Sequence, residues 1–196
     1  MGAPTVNVWR PFTPQEVALR LAGATFPWAV VGGWGIDLWL GEQTREHHDI
    51  EIAIPRSCFP QVPRFFPDLT FFAVGSGEVM LLADGDVHPP EKHQTWLLDE
   101  RSGEWKLDVM LEPGDAEEWI FRRDERIRRP RSEMIAHRDG IPYLRPEGIL
   151  LYKAKHCREK DLEDFRRVLP TMDDDQREWL METIRKVHPS MISLIC

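Results

Sequence analysis

The chain has 196 residues, of which 42% are hydrophobic and 30% charged, and it carries a formal net charge of −8. That is enough apolar material for a real core in one domain or two small ones, and no apolar run nears the roughly 18 residues that span a bilayer. The acidic balance disfavours a general nucleic-acid binder and gives some weight to a cationic substrate.

The N-terminus MGAPTVNVWRPFTPQE has no basic stretch followed by an apolar one, so no secretory signal is read and a cytoplasmic protein is expected. Val6 stands where a myristoylation signal wants Ser or Thr. Cys58, Cys157 and Cys196 are far apart, odd in number and lack C-x-x-C spacing, which predicts free thiols.

Thr13-Pro14-Gln15-Glu16 reads as a capping box with Pro at the first helical position, and Gly23 as that helix's stop. A strand over 28–32 leads into a short helix from Trp34 to Leu40, ended by Gly41. A strand over 49–54 follows, then a segment punctuated by Pro55, Pro60, Pro63 and Pro67 that holds only short helix. Two hairpins are expected: Leu69–Val74 with Val79–Ala83, and Trp96–Asp99 with Trp105–Leu111. After Pro113 the spacing predicts a helix over Asp115–Arg123, then short strands in RIRRPRSEMIAHRDG. Beyond Pro146 helices are expected over 147–157, 159–168 and 173–187. A mixed sheet followed by a helical tail defines an α+β chain, divided here into residues 1–140 and a helical 141–196.

The chemistry concentrates in residues 26–54. In the strand over 49–54, Asp49 and Glu51 fall on one face while Ile50, Ile52 and Ile54 fall on the other. Neighbouring carboxylates repel unless a cation neutralises them, and hard oxygen ligands suit Mg²⁺ or Mn²⁺. Upstream, Gly32 and Gly33 let backbone N–H groups approach an anion. An anion cradle beside metal-binding acids points to a nucleoside triphosphate.

The stretch GGWGIDLWLG…TREHHDIEI resembles the active-site signature of the nucleotidyltransferase superfamily, the DNA polymerase β-like fold. Within it the likeness is to the aminoglycoside 2''-nucleotidyltransferase and lincosamide nucleotidyltransferase group. That group reads GGW, a short helix with Asp, then T-R-x-H-D-D-I-D. The P-E, K-A-K and K-D-x-x-D-F elements of 140–180 resemble the group's helical portion. Two positions depart from the pattern: His48 replaces the first Asp, and Glu51 replaces a later one, keeping the charge but adding a methylene.

The resemblance implies a mixed-sheet nucleotidyltransferase core flanked by helices and followed by a helical segment. It also implies a third carboxylate on a neighbouring strand, and Asp108, mid-strand between apolar residues, fits that place. Asp49, Glu51 and Asp108 are thus the expected catalytic and metal-binding residues. Gly32, Gly33, Arg45, Lys153 and Lys160 are the expected nucleotide-binding ones. The implied reaction moves a nucleoside monophosphate, AMP from ATP or another NTP, to a hydroxyl of a small molecule with release of pyrophosphate. An aminoglycoside or lincosamide antibiotic is the acceptor class suggested.

Two alternatives stand beside this reading: the same chemistry on tRNA or protein, and a degenerate nucleotide-binding module that no longer catalyses. The apolar tail over 191–196 leaves room for a homodimer, and no membrane partner is expected.

Other residues have plainer readings. Asp37 either belongs to the site or positions its loop, and Trp34 could wall the pocket. Asp161 and Asp164 share a helix face and could orient Lys160, meet the sugar or a cationic acceptor, or be solvated. The six arginines from Arg122 to Arg131 are read as ion-paired rather than ligand-binding. His88 and His93 lie in a Pro-rich loop, and Asp84 and Asp86 in a solvated turn.

Overall fold

The computed structural model describes residues 8–156 and 158–195. Cys58 is a free thiol. The readings on Cys157, Cys196 and the first seven residues lie outside the described residues. No helix among the described residues is long and apolar enough to cross a membrane.

Helix α1 (Pro14–Arg20) opens on the expected capping box: Thr13 Oγ1 accepts from Glu16 N–H, and Glu16 reaches back to Thr13 N–H at 2.7 Å. A two-residue strand, β1 (Ala29–Val30), runs into α2 (Gly32–Leu40), which Gly41 ends in the left-handed conformation. The next strands are β2 (Glu51–Pro55), β3 (Thr70–Gly75), β4 (Glu78–Leu82), β5 (Gln94–Asp99) and β6 (Glu104–Glu112). The two expected hairpins are present, and 3-10 turns fill the proline-rich segment between β2 and β3. Further along come β7 (Glu118–Ile120), β8 (Arg128–Pro130), the one-turn α3 (Arg131–Met134), β9 (Ile135–Arg138) and β10 (Ile141–Leu144). Helices α4 (Pro146–Lys153), α5 (Glu159–Val168), α6 (Asp174–Val187) and α7 (Ile192–Ile195) close the chain.

Eight strands form one mixed sheet in the order β4-β3-β5-β6-β2-β1-β10-β9; β7 and β8 pair separately. The centre decides the register. Strands β2 and β6 are parallel, with Glu51 opposite Asp108 and Ile52 opposite Val109. Ile52, Ile54, Leu107, Val109 and Leu111 all enter one core, with α1 and the 3-10 turns over it. Burying each such side chain is worth about 1.5–3 kcal/mol. A one-residue slip would turn the whole set toward the polar face, so the pairing is strongly specified. The opposite face presents Glu51, Ala53, Asp108, Met110 and Glu112. A second core covers that side, built from α2, Trp119, Phe121 and the C-terminal helices.

Three expectations need correction. Asp115–Arg123 is not helical. The Asp115 carboxylate accepts the N–H groups of Glu117 and Glu118, making a turn, and Trp119 and Ile120 continue as strand against Arg128 and Arg129. The aromatic and β-branched residues there suit a strand better than a helix. Residues 141–144, assigned to the helical part, form a sheet strand parallel to β1, so the helices begin at Pro146. Finally, α2 starts at Gly32 rather than Trp34, and the second strand at Glu51 rather than Asp49.

Candidate active site

The site forms where β1 hands over to α2. Val31 N–H donates to the Glu51 carbonyl at 2.9 Å, fixing the glycine turn to the acid-bearing strand. Gly32 has φ +64, a conformation that side chains disfavour, and the Glu51 carboxylate lies against its Cα where a methyl would collide. No side chain caps the N-terminus of α2, which leaves its first N–H groups to an anion.

Glu51 and Asp108 are direct partners on neighbouring parallel strands and share a face. Asp108 is buried. Its Oδ2 accepts from Gln94 Nε2 at 2.7 Å and Trp96 Nε1 at 3.1 Å, while Oδ1 is buried without a partner. Loss of water, then the charge of Glu51, pushes Asp108 well above the usual carboxylate range. Burial and then Asp49 push Glu51 upward too. Asp49 is exposed and precedes the strand, yet its charge reaches both other acids.

The sequence-predicted acids are therefore neighbours. Among the described residues, however, no three His, Cys, Asp or Glu side chains stand ready-made around one point. A buried carboxylate with one unsatisfied oxygen, raised by a like charge beside it, is what a divalent cation would relieve. The donor set is all oxygen, as Mg²⁺ and Mn²⁺ prefer. The residues present fit such an ion.

The loop over 41–50 is held from beneath by Asp37, buried on α2. Thr44 Oγ1 donates to its Oδ1 at 2.7 Å, and His47 Nε2 meets its Oδ2 at 2.5 Å. Asp37 therefore positions the loop. Trp34, offered as a pocket wall, stacks instead on His47 at 4.5 Å between ring centroids. The Arg45 guanidinium and the His47 ring lie over Gly33, each 2.5 Å from where a Cβ would stand. Arg45 thus lies against the glycine turn.

Lys153 ends α4 and is clasped by Asp161 at 3.2 Å and Asp164 at 2.8 Å. Those two acids, read as orienting Lys160, orient Lys153 instead. Lys160 is exposed on α5, and its charge, with those of Lys153 and Arg158, favours ionised Glu51.

A cavity of about 170 Å³ follows the carboxylate face of the sheet from Gly32 and Glu51 past Met110 to Glu112. It is roofed by Ile149, Tyr152 and Lys153 of α4. Arg122 and Arg123 close its far end, a contribution that a purely ion-paired reading of the arginine cluster missed. The other four do pair as expected: Arg126 with Asp124, Arg128 with Glu118, Arg129 with Glu133, and Arg131 with Glu112. Glu112 was also missed, although alternation from Asp108 puts it on the same face. His88 and His93 are structural, both meeting the Arg56 guanidinium, and Asp86 closes its turn on Ala83 N–H at 2.8 Å.

Residues 15–76 match a family model described as aminoglycoside-2''-adenylyltransferase. The fold is similar to ANT(2'')-Ia in complex with adenylyl-2''-tobramycin, at 15% identity over 88% of this chain and 94% of that one, TM-score 0.57. It is also similar to the lincomycin-bound lincosamide antibiotic adenylyltransferase LnuA, at 17% identity over 81% and 97%, TM-score 0.52. No curated protein sequence is recognisably similar. The chain has the nucleotidyltransferase fold. The resemblance to the aminoglycoside and lincosamide group that its signature suggested holds in its first third and in its overall architecture.

Proposed function

We propose that the chain is a metal-dependent nucleotidyltransferase that moves a nucleoside monophosphate, AMP from ATP first among the candidates, to a hydroxyl of a small molecule. The observation that carries this reading is the pairing of Glu51 with a buried Asp108 whose Oδ1 has no partner, beside an uncapped helix start at Gly32. Asp49, Glu51 and Asp108 are the residues that would hold a divalent cation, whose charge would offset that developing on the phosphates.

The chain's own groups do the rest. The N–H groups at Gly32 and Gly33, with Arg45, Lys153 and Lys160, supply positive charge to the triphosphate. Gln94 and Trp96 fix one oxygen of Asp108, so the other is aimed and free to take a proton. The acceptor hydroxyl oxygen attacks the α-phosphorus. A new P–O bond forms as the bond from that phosphorus to its bridging oxygen breaks, pyrophosphate leaves, and the hydroxyl proton passes to Asp108.

The two similar structures hold adenylyl-2''-tobramycin and lincomycin, so tobramycin and lincomycin are the first acceptors to assay. The protein would be incubated with Mg²⁺, each α-labelled NTP and a panel of hydroxyl-bearing acceptors that includes both. Label on a small molecule with equimolar pyrophosphate is expected. Label on RNA or protein, or nucleotide binding with no pyrophosphate release, would overturn the proposal.

A further inference from the structure

The two ends of the cavity carry opposite imbalances of charge. Glu51 and Glu112 face the same side, and the register places them four residues apart along β2 and β6, on the order of 13 Å. Around Glu51 the cations that line the cavity are committed: Lys153 is held by Asp161 and Asp164, and Arg158 by Asp161. Around Glu112 they are not. Among the described residues the Arg122 guanidinium makes no ion pair or hydrogen bond; only its backbone N–H is used, toward Tyr152 Oη at 3.4 Å. Arg123 donates to the Tyr152 carbonyl at 2.6 Å and lies 5.2 Å from the centroid of that ring, but meets no carboxylate.

Glu112, the one carboxylate lining this end, is already engaged by Trp119 Nε1 at 3.2 Å and Arg131 at 3.4 Å. Burial, and then the neighbouring charge of Arg122, holds both Arg123 and Arg56 below the ordinary guanidinium value. Half-buried guanidinium groups that repel one another and have no carboxylate in contact form a preorganised anion site. A polyamine, by contrast, needs uncommitted carboxylates, and this end of the cavity has none.

We propose that Arg122 and Arg123 bind an acid group, phosphate or carboxylate, of the acceptor, so that the hydroxyl-bearing substrate is an anion rather than a polycation. The inference rests on the transferase reading above. It narrows the acceptor to molecules that carry both a hydroxyl and an acid group, whether antibiotic or not.

The test is calorimetric binding to protein saturated with Mg²⁺ and a non-hydrolysable ATP analogue, so that the triphosphate end is filled. The probes are inorganic phosphate, a hexose 6-phosphate, the matching hexuronate, the uncharged hexose and tobramycin. At least one acidic sugar should bind tenfold or more tighter than the uncharged hexose. The double variant Arg122→Gln with Arg123→Gln should lose that preference, with affinity for the analogue changed less than twofold. The choice between phosphate and carboxylate follows from which acidic sugar binds. Arg122→Gln alone breaks no hydrogen bond, and it keeps the test valid should the double variant fail to fold.

Three outcomes overturn the proposal. One is acidic sugars that bind no better than the hexose, another is tobramycin binding tighter than either acid. The third is phosphate that competes with the analogue instead of joining it, which would assign the arginines to the nucleotide. Failure of the analogue itself to bind would count against the transferase reading. Phosphate binding by nucleotide-free protein and its loss in Arg122→Gln would then still decide whether the arginines form an anion site.

Discussion

One face of a single sheet carries two charged patches of opposite sign, and they are built differently. At the Gly32 end, Asp108 and Glu51 are pressed together by strand register and left short of positive charge. At the Glu112 end, Arg122 and Arg123 come from the turn after β7, are held against Tyr152, and are left short of negative charge. Elsewhere the chain neutralises its buried charges with care: Glu112 with Arg131, and Lys153 with two aspartates. Leaving a charge uncompensated costs stability, so two such places joined by one cavity are better read as ligand sites than as accidents. The net charge of −8 describes the surface as a whole and says little about this cavity.

The comparison can be broken most sharply at the acid end. Asp108→Asn keeps shape and hydrogen-bonding size but removes charge. It should lower nucleotidyl transfer by about 10²–10⁴-fold, read as pyrophosphate release, while relieving repulsion and leaving Tm equal or higher. Activity that survives this change would remove Asp108 from the chemistry. Next in size is Lys153→Met, which strands Asp164 and leaves Asp161 with Arg158 alone. Breaking a buried pair costs about 3–5 kcal/mol, so a marked fall in the urea midpoint is expected, together with a raised KM for the nucleotide. A raised KM without loss of stability would mean that the clasp is not structural.

Asp37→Ala should cost about 1–3 kcal/mol, because it frees Thr44 and His47 and loosens the loop that carries Asp49. Its kcat should fall more than its nucleotide affinity. The smallest effect concerns pH. Burial raises Asp161, but Arg158 and Lys153 outweigh it and hold the group below the usual carboxylate value. Its contribution to stability is complete above the unfolded value, near pH 4, and is lost as pH falls through the lower folded value. Asp161→Asn should therefore lower Tm at pH 7 and flatten the fall of Tm below about pH 4.

Much of the acid end was legible beforehand because period-2 alternation and a glycine pair are local signals. Ile52 and Ile54 against Glu51, or Val109 against Asp108, need only the pleat to be sorted. The capping box at Thr13 and the left-handed stop at Gly41 were legible for the same reason. The arginine end was not. It depends on a turn that was read as helix, and on α4 bringing Tyr152, 29 residues downstream, beside Arg123. Periodicity cannot say which arginine of a cluster will find a carboxylate and which will not. Asp37 shows a middle case: its residue type suggested two roles, and only the loop's path through Thr44 and His47 chose between them.

The β10 strand has a practical corollary for anyone who would trim the molecule. It sits between β1 and the edge strand β9 of the chain's main sheet, with Arg145 alone between its last residue and α4. Cutting at residue 140 would pull a slat from the wall behind the glycine turn and expose the flank of Val30, so the fragment should aggregate rather than bind. The tail helices are accordingly mortised into the core, and a shortened chain would have to be pruned after Leu144 and given a new cover for Ile36.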